Sequence, residues 1–337
     1  MDGSMTAPIT PEGLTYSQDG EPGILRRRHG KGFRYLRQDG LPLSSAERTR
    51  IRRLGIPPAY DQVWICANPF GHLQATGVDA RGRRQYRYHP DWAAWRSDRK
   101  FGQLPAFGAA LPTLRRRLER DLQSDTGDMT FCLAALVTLL DRTWLRIGNP
   151  VYAAQNRSFG ASTLLARHLT LADGHVTLRF RAKGGKPVRY ALKDRKLHRI
   201  LQEIHDLPGR NLFTWLDDSG KPQPVASQHV NAYLAEITGL PETSAKTFRT
   251  WGGSLAAFDV ARKTAGTLTL RAMADAAAER LANTPAICRS SYIHPAILGL
   301  ADLPDEARQR RLADCTPLDT PGLFEPERHL LAFLQSA

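Results

Sequence analysis

The chain has 337 residues and is strongly basic, with 47 Lys and Arg against 33 Asp and Glu and a formal net charge of +14. A hydrophobic content of 42% and a charged content of 24% are those of a globular protein of two or three domains, and no apolar run approaches the ~18 residues of a spanning helix. Cys66, Cys132, Cys288 and Cys315 are scattered without a CxxC pair, which excludes a zinc knuckle or disulfide framework and fits a reduced, cytoplasmic compartment.

The charge is concentrated. Residues 1–23 hold four acids and no Lys or Arg, and residues 301–337 hold seven acids and four bases, so residues 24–300 carry 43 bases against 22 acids. A body this basic attracts a polyanion, most simply nucleic acid. Solubility alone is the other reading, and composition does not separate a ribosomal protein from a DNA enzyme.

Residues 1–22 are polar and contain Pro and Gly, which predicts a flexible arm. The first twenty lack a basic segment followed by an apolar one, so no secretory signal is expected. Residues 23–97 read as a β-rich domain. Strands are predicted at 32–37, 62–66, 72–76 and 85–89, with a short helix capped by Ser44 or Ser45 and ending near Gly55. Residues 98–337 read as a mainly α domain. Helical spacing begins after Pro90, with helices at 91–98, 104–122, 128–147, 194–206, 227–238, 245–263 and 270–282. Leu330, Leu331 and Phe333 suit a further short docking helix. One hairpin interrupts the helices over 175–192, turning at Gly184–Gly185. The fold class is therefore α+β, a small sheet domain followed by a helical domain carrying its own small sheet.

Four places in the helical domain have side chains suited to phosphate chemistry. On the hairpin, Val176, Leu178 and Phe180 alternate with Thr177, Arg179 and Arg181, so Lys183 emerges at the turn on the solvent side. It is either an ammonium offered to a phosphate or a solvated turn lysine. In 245–258, Phe248, Trp251, Leu255 and Phe258 form an apolar helical stripe, and Lys246 and Arg249 share another face. The small residues Gly253 and Ala257 behind them would admit a bulky anion, unless this is simply a basic surface helix. Arg146 is placed at the end of the 128–147 helix with Gly148 as its C-cap, where the helix dipole alone accounts for a cation. Tyr292 follows Thr284–Pro285, a start signal for a short helix; a lone tyrosine there is either a packing residue with a wet hydroxyl or a nucleophile.

These segments, Lys246-Thr-Phe-Arg249-Thr-Trp-Gly-Gly and Asn283-Thr-Pro-Ala-Ile-Cys-Arg-Ser-Ser-Tyr292, together with the run from Val63 to Pro90, resemble the type IB DNA topoisomerases of the small poxviral and bacterial branch. The resemblance spans roughly residues 24–300. It implies that Tyr292 is the nucleophile, that Arg146 and Arg249 hold the non-bridging oxygens of the scissile phosphate, and that Lys183 is the general acid. It further implies DNA contacts at Gln85, Tyr86, Tyr88 and Lys246. The pattern departs at Asn283, where most familiar members carry histidine; an amide N–H still donates to a phosphate oxygen but brings no charge.

The implied activity is relaxation of supercoiled duplex DNA through a 3′-phosphotyrosyl intermediate, by a monomer at the nucleoid, with no cofactor, metal, ATP or membrane. The absence of a G-x-x-x-x-G-K-[ST] loop and of a compact D-x-D motif agrees with that. The alternative is a tyrosine recombinase-like strand transferase, whose second arginine box usually reads His-x-x-Arg where this chain has Lys246-Thr-Phe-Arg249.

Overall fold

In the computed structural model, residues 10–317 and 319–337 are described, and they divide into two compact units, the first ending at Arg99 and the second beginning at Lys100.

The first unit is built on an antiparallel sheet. Its strands are β1 (Ile24–His29), β2 (Gly32–Arg37), β3 (Asp61–Ile65), β4 (Leu73–Val78) and β5 (Arg84–Tyr88), in spatial order β2-β1-β3-β4-β5. Helix α1 (Ser45–Arg53) closes a small core of Ile24, Leu43, Ile51, Val63, Ile65 and Ala75. Of the two caps the sequence offers, Ser44 is the one used, in a reciprocal bond with Glu47.

Strand β1 is absent from the sequence reading because Ile24-Leu-Arg-Arg-Arg-His lacks apolar alternation. The structure supplies the reason: Arg26 points inward, donating to the carbonyls of Ile56, Pro57 and Tyr60 and lying 4.2 Å from the centre of the Phe33 ring. The expected flexible arm needs correcting over residues 10–22; residues 1–9 lie outside the described part. Thr15 pairs with Gly71, Ser17 donates to the Leu73 carbonyl at 3.1 Å, the Tyr16 and His72 rings stack at 4.2 Å, and Trp64 Nε1 donates to the Glu21 carbonyl. A segment that fills backbone partners and buries Leu14 is a docked part of the sheet unit.

Helix α2 (Pro90–Gly102) carries the chain past the division between the units. The second unit is helical: α3 (Leu104–Asp121), α4 (Met129–Thr143), α5 (Pro150–Asn156), α6 (Arg195–His205), α7 (Ser227–Thr238), α8 (Ala245–Lys263), α9 (Leu270–Leu281), α10 (Pro285–Ser291), α11 (Pro295–Leu298), α12 (Asp305–Ala313) and α13 (Glu325–Gln335). Its small sheet has the order β6-β7-β8, from β6 (Leu169–Ala172), β7 (His175–Arg181) and β8 (Pro187–Lys193). The two short strands β9 (Thr214–Leu216) and β10 (Pro222–Pro224) pair separately.

Helix α8 forms the axis of this unit. Beyond the predicted stripe, Arg249, Thr250, Gly252, Gly253 and Ser254 are also buried, so α8 is enclosed on every side over this stretch and is not a surface helix. The Phe107 ring meets Phe248 edge-on at 5.1 Å, and Phe258 packs on Phe333 of α13 at 5.0 Å. Helix α13 thus completes the core with Leu330, Leu331 and Phe333, as its spacing suggests.

Candidate active site

Arg249 lies in the second turn of α8 and is 2% exposed. Its guanidinium is held in one orientation by two backbone carbonyls, Nη1 donating to Trp144 at 2.6 Å and Nη2 to Leu281 at 3.0 Å, while Nε is buried without a partner among the described residues. A buried, half-satisfied cation in a helical core is destabilising unless an anion completes it.

Both carbonyls come from helix ends. Helix α4 stops at Thr143 because Trp144 takes the left-handed conformation (φ +52°). Arg146 therefore sits in an extended segment, not at a helix terminus capped by Gly148, and the helix-dipole account of it fails. The early stop has a packing cause. The Trp144 ring lies over Gly252 so closely that a Cβ there would be 2.2 Å from it, and the stop points the Trp144 carbonyl at Arg249. Helix α9 ends in the same way, at Ala282 (φ +47°), presenting the Leu281 carbonyl and then Asn283.

Arg146 and Arg249 line one narrow cleft with Tyr190 of β8, walled by Phe159, Phe180 and Val188. Burial, and then the charge of Arg249, lowers the Arg146 pKa from its ordinary value, with Tyr292 and Tyr190 acting in the opposite direction. The Tyr190 phenol is pushed up by burial, against the pull of both arginines. Burial likewise raises the Cys288 thiol one turn before Tyr292, with Arg249, Arg146 and Lys186 opposing.

Tyr292 caps the C-terminus of α10, and its ring centre is 5.0 Å from the Arg249 guanidinium carbon. Its hydroxyl makes no hydrogen bond among the described residues. The backbone beneath it is clamped: Ser254 Oγ donates to the Tyr292 carbonyl at 3.3 Å, and a Cβ at Gly253 would approach that carbonyl to 2.8 Å. Gly253 therefore admits the tyrosine segment rather than an anion, which corrects the sequence reading of the small residues on α8; Ala257 is likewise fully buried. Lys100 adds a further tie, its Nζ donating to the Ser291 carbonyl at 3.1 Å. Asn283 Oδ1 accepts from the Thr284 amide, and its Nδ2 is buried with no partner among the described residues. Arg249 Nε and Asn283 Nδ2 are thus both orphaned donors among the described residues, Asn283 lying two positions beyond the Leu281 carbonyl that holds Arg249.

Of the residues singled out from sequence, the structure brings Arg146, Arg249, Tyr292 and the Asn283 segment together. Lys183 stands apart, exposed at the β7–β8 turn, and only its neighbour Ala182 lines the cleft. Lys246 is exposed in the first turn of α8, and its charge is felt by Lys100. Gln85, Tyr86 and Tyr88 belong to the other unit, on edge strand β5. There the two tyrosine rings are 49% and 47% exposed and stack at 6.1 Å, while Gln85 donates to Asp79 at 3.0 Å. Sequence reasoning passed over Tyr190, Lys100 and Lys186. Tyr190 had a signal, since Val188, Tyr190 and Leu192 alternate on β8; Lys100 had none, because its partner is a backbone carbonyl 191 positions away.

Residues 32–79 match the family model of the N-terminal domain of bacterial DNA topoisomerase IB, and residues 91–289 match that of the eukaryotic DNA topoisomerase I catalytic core. The second match covers more than half of the chain. The chain belongs to the type IB DNA topoisomerases. It is 30% identical over 238 residues to the DNA topoisomerase 1B of Acanthamoeba polyphaga mimivirus, covering 69% of this chain and 70% of that protein. It is 21% identical over 242 residues to the DNA topoisomerase 1B of Vaccinia virus (strain Copenhagen), covering 71% and 75%. The match to the family's catalytic core ends at residue 289, three positions before Tyr292. Among the described residues no helix is long and apolar enough to cross a membrane.

Proposed function

We propose that the protein relaxes supercoiled duplex DNA by reversible cleavage of one strand, with Tyr292 as nucleophile. The observation that carries this reading is the pairing of Arg249 with Tyr292: a core arginine fixed by two carbonyls, with Nε unpaired among the described residues, its guanidinium carbon 5.0 Å from the ring centre of a half-buried tyrosine. The phenol gives up its proton to solvent as its oxygen forms a P–O bond to the 3′ phosphate; the bond to the 5′ oxygen breaks, and that oxygen takes a proton and leaves as a hydroxyl. The phosphodiester energy stays in the tyrosyl link, so rejoining needs no nucleotide.

Arg146 and Arg249 meet the charge that builds on the equatorial oxygens, where preorganised donors matter most. Asn283 Nδ2 offers a third donor, neutral but already desolvated. Lys183 serves as the acid for the departing oxygen, which requires it to reach the bound phosphate from the exposed turn. Gln85, Tyr86, Tyr88 and Lys246 bear on the duplex as neighbouring contacts. One polypeptide contains the whole set, and we assign the active form as a monomer working on chromosomal DNA in the cytoplasm.

Relaxation is favoured over recombinase-like strand transfer by the β-rich unit, whose family is that of the bacterial topoisomerases. Incubation of a negatively supercoiled plasmid with excess EDTA and no ATP tests the reading: the wild-type protein yields relaxed topoisomers, and Tyr292→Phe yields none. A strict need for metal or ATP, or recombinant products in place of topoisomers, overturns it.

A further inference from the structure

Beside the cleft of Arg146 and Arg249 lies a second, larger recess of about 520 Å³. Phe159, Phe180 and Val188 line both, so a shared apolar wall separates them. The recess opens where β6 ends and β7 runs on paired with β8 only, its other edge taken by the Phe159 amide, which donates to the Arg181 carbonyl at 2.7 Å. Its rim carries Arg157, Arg167, Arg179, Arg181 and Arg189. All five are exposed, and none makes a side-chain hydrogen bond or ion pair among the described residues.

This arrangement opposes folding. Arg179 and Arg189 face each other directly across the β7–β8 ladder, a like-charge pair at the position where opposite charges stabilise a sheet. Arg115, by contrast, is held by two acids, Asp141 and Glu327. Five guanidinium groups left without acids around one hollow fit an anion with several negative charges, each able to take two parallel N–H bonds.

We propose that this recess is a second phosphate-binding subsite, which grips the backbone of the duplex next to the bond being cut. The assignment rests on the proposed function in one respect: the cleft is taken to hold the scissile phosphate. Duplex DNA carries one charge per about 1.7 Å of axis, so a strand held at the cleft brings further phosphates to its neighbour. The subsite anchors the duplex through charge rather than through base edges, so it acts on all sequences alike.

The test is binding by the Tyr292→Phe protein, which needs no chemistry, to short duplexes in which single phosphodiesters are replaced in turn by uncharged methylphosphonates. The same series is measured with Arg167→Gln, Arg179→Gln and Arg189→Gln added together. The expected result is that one or two linkages flanking the scissile position weaken the parent and leave the triple variant unaffected. The variant's plot of log affinity against log salt should also be shallower by about three, because each arginine removed leaves one phosphate with its counterions.

Equal effects of every linkage on both proteins, or an unchanged salt slope, overturn the proposal. So does binding of inorganic phosphate abolished by the substitutions without any linkage-specific loss on DNA. If the triple variant folds poorly, Arg179→Gln alone is read in the same series. Its melting temperature without DNA should be equal to or above that of the parent, because a like-charge pair is removed, and a fall contradicts the argument. Failure of wild-type protein to form a covalent DNA adduct would count against the proposed function alone, since the linkage map is obtained without cleavage.

Discussion

At the residue scale, two tyrosines approach the same arginines, and their surroundings distinguish them. Tyr190 lines the cleft as an inward residue of a strand, with its phenol pushed up by burial; Tyr292 ends a helix with its hydroxyl unengaged. Tyr190→Phe should keep relaxation within about tenfold of wild type, whereas Arg249→Ala should slow single-turnover cleavage by roughly a hundred- to a thousandfold or more, the usual effect of losing an oxyanion donor. Asn283→Ala should slow cleavage in the same assay, because Nδ2 is already buried and, among the described residues, unpaired before substrate arrives.

Lys100 gives a prediction in pH. Burial, reinforced by the charge of Lys246, lowers its pKa to about 8, whereas in the unfolded chain it titrates near 10.4. Between those values the unfolded state holds more protons, so this residue makes folding stability rise with pH. Urea unfolding of Lys100→Met should show a shallower rise between pH 8 and 10 than wild type. A matching slope would mean the folded amine is not perturbed.

At the element scale, the helices were legible because the long ones keep an apolar period. Seven expected helices lie within a few residues of those found. The site itself depends on two breaks that periodicity does not reveal. The pattern through Leu139, Leu140 and Leu145 reads on as helix, but Trp144 leaves the helical region to pack on Gly252, and that packing is 108 positions distant in the chain. The basic-surface-helix alternative for Arg249 stayed open for a related reason: its burial is compensated by carbonyls, not by acids that a sequence would display. The family resemblance pointed to Arg146 and Arg249 without revealing either cause. Strand β1 was missed because Arg26 does the work of an apolar side chain.

Two substitutions test this layer. Gly253→Ala should displace the Tyr292 backbone and reduce cleavage without weakening non-covalent DNA binding, which a paired cleavage and binding assay reads. Glu327 of α13 accepts from both nitrogens of the Arg115 fork (2.7 and 2.9 Å) and from Trp251 Nε1. Glu327→Ala should lower unfolding stability by about 3–5 kcal/mol in urea titration, because it leaves a buried guanidinium short of a partner.

At the scale of the whole molecule, charge and architecture serve one task. The excess of bases lies in residues 24–300, with acids gathered at both ends of the chain, and the helical unit presents its unpaired arginines beside the cleft. Affinity for any duplex should fall steeply with salt as counterions are released; a salt-independent affinity would remove the phosphate clamp from the account. Net charge announced a polyanion from composition alone, but which arginines stay unpaired became visible only when strands β7 and β8 were set in register.

The central claim is that one phenol, held beside a carbonyl-anchored arginine, carries the DNA during relaxation. The most direct measurement is to stop a relaxation reaction with denaturant, digest protein and DNA, and identify by mass spectrometry the peptide that retains a nucleotide. The account predicts a single adduct on Tyr292, joined to a 3′ phosphate, with a free 5′ hydroxyl on the other strand end. An adduct on Tyr190, a link to a 5′ phosphate, or continued relaxation by Tyr292→Phe would contradict it.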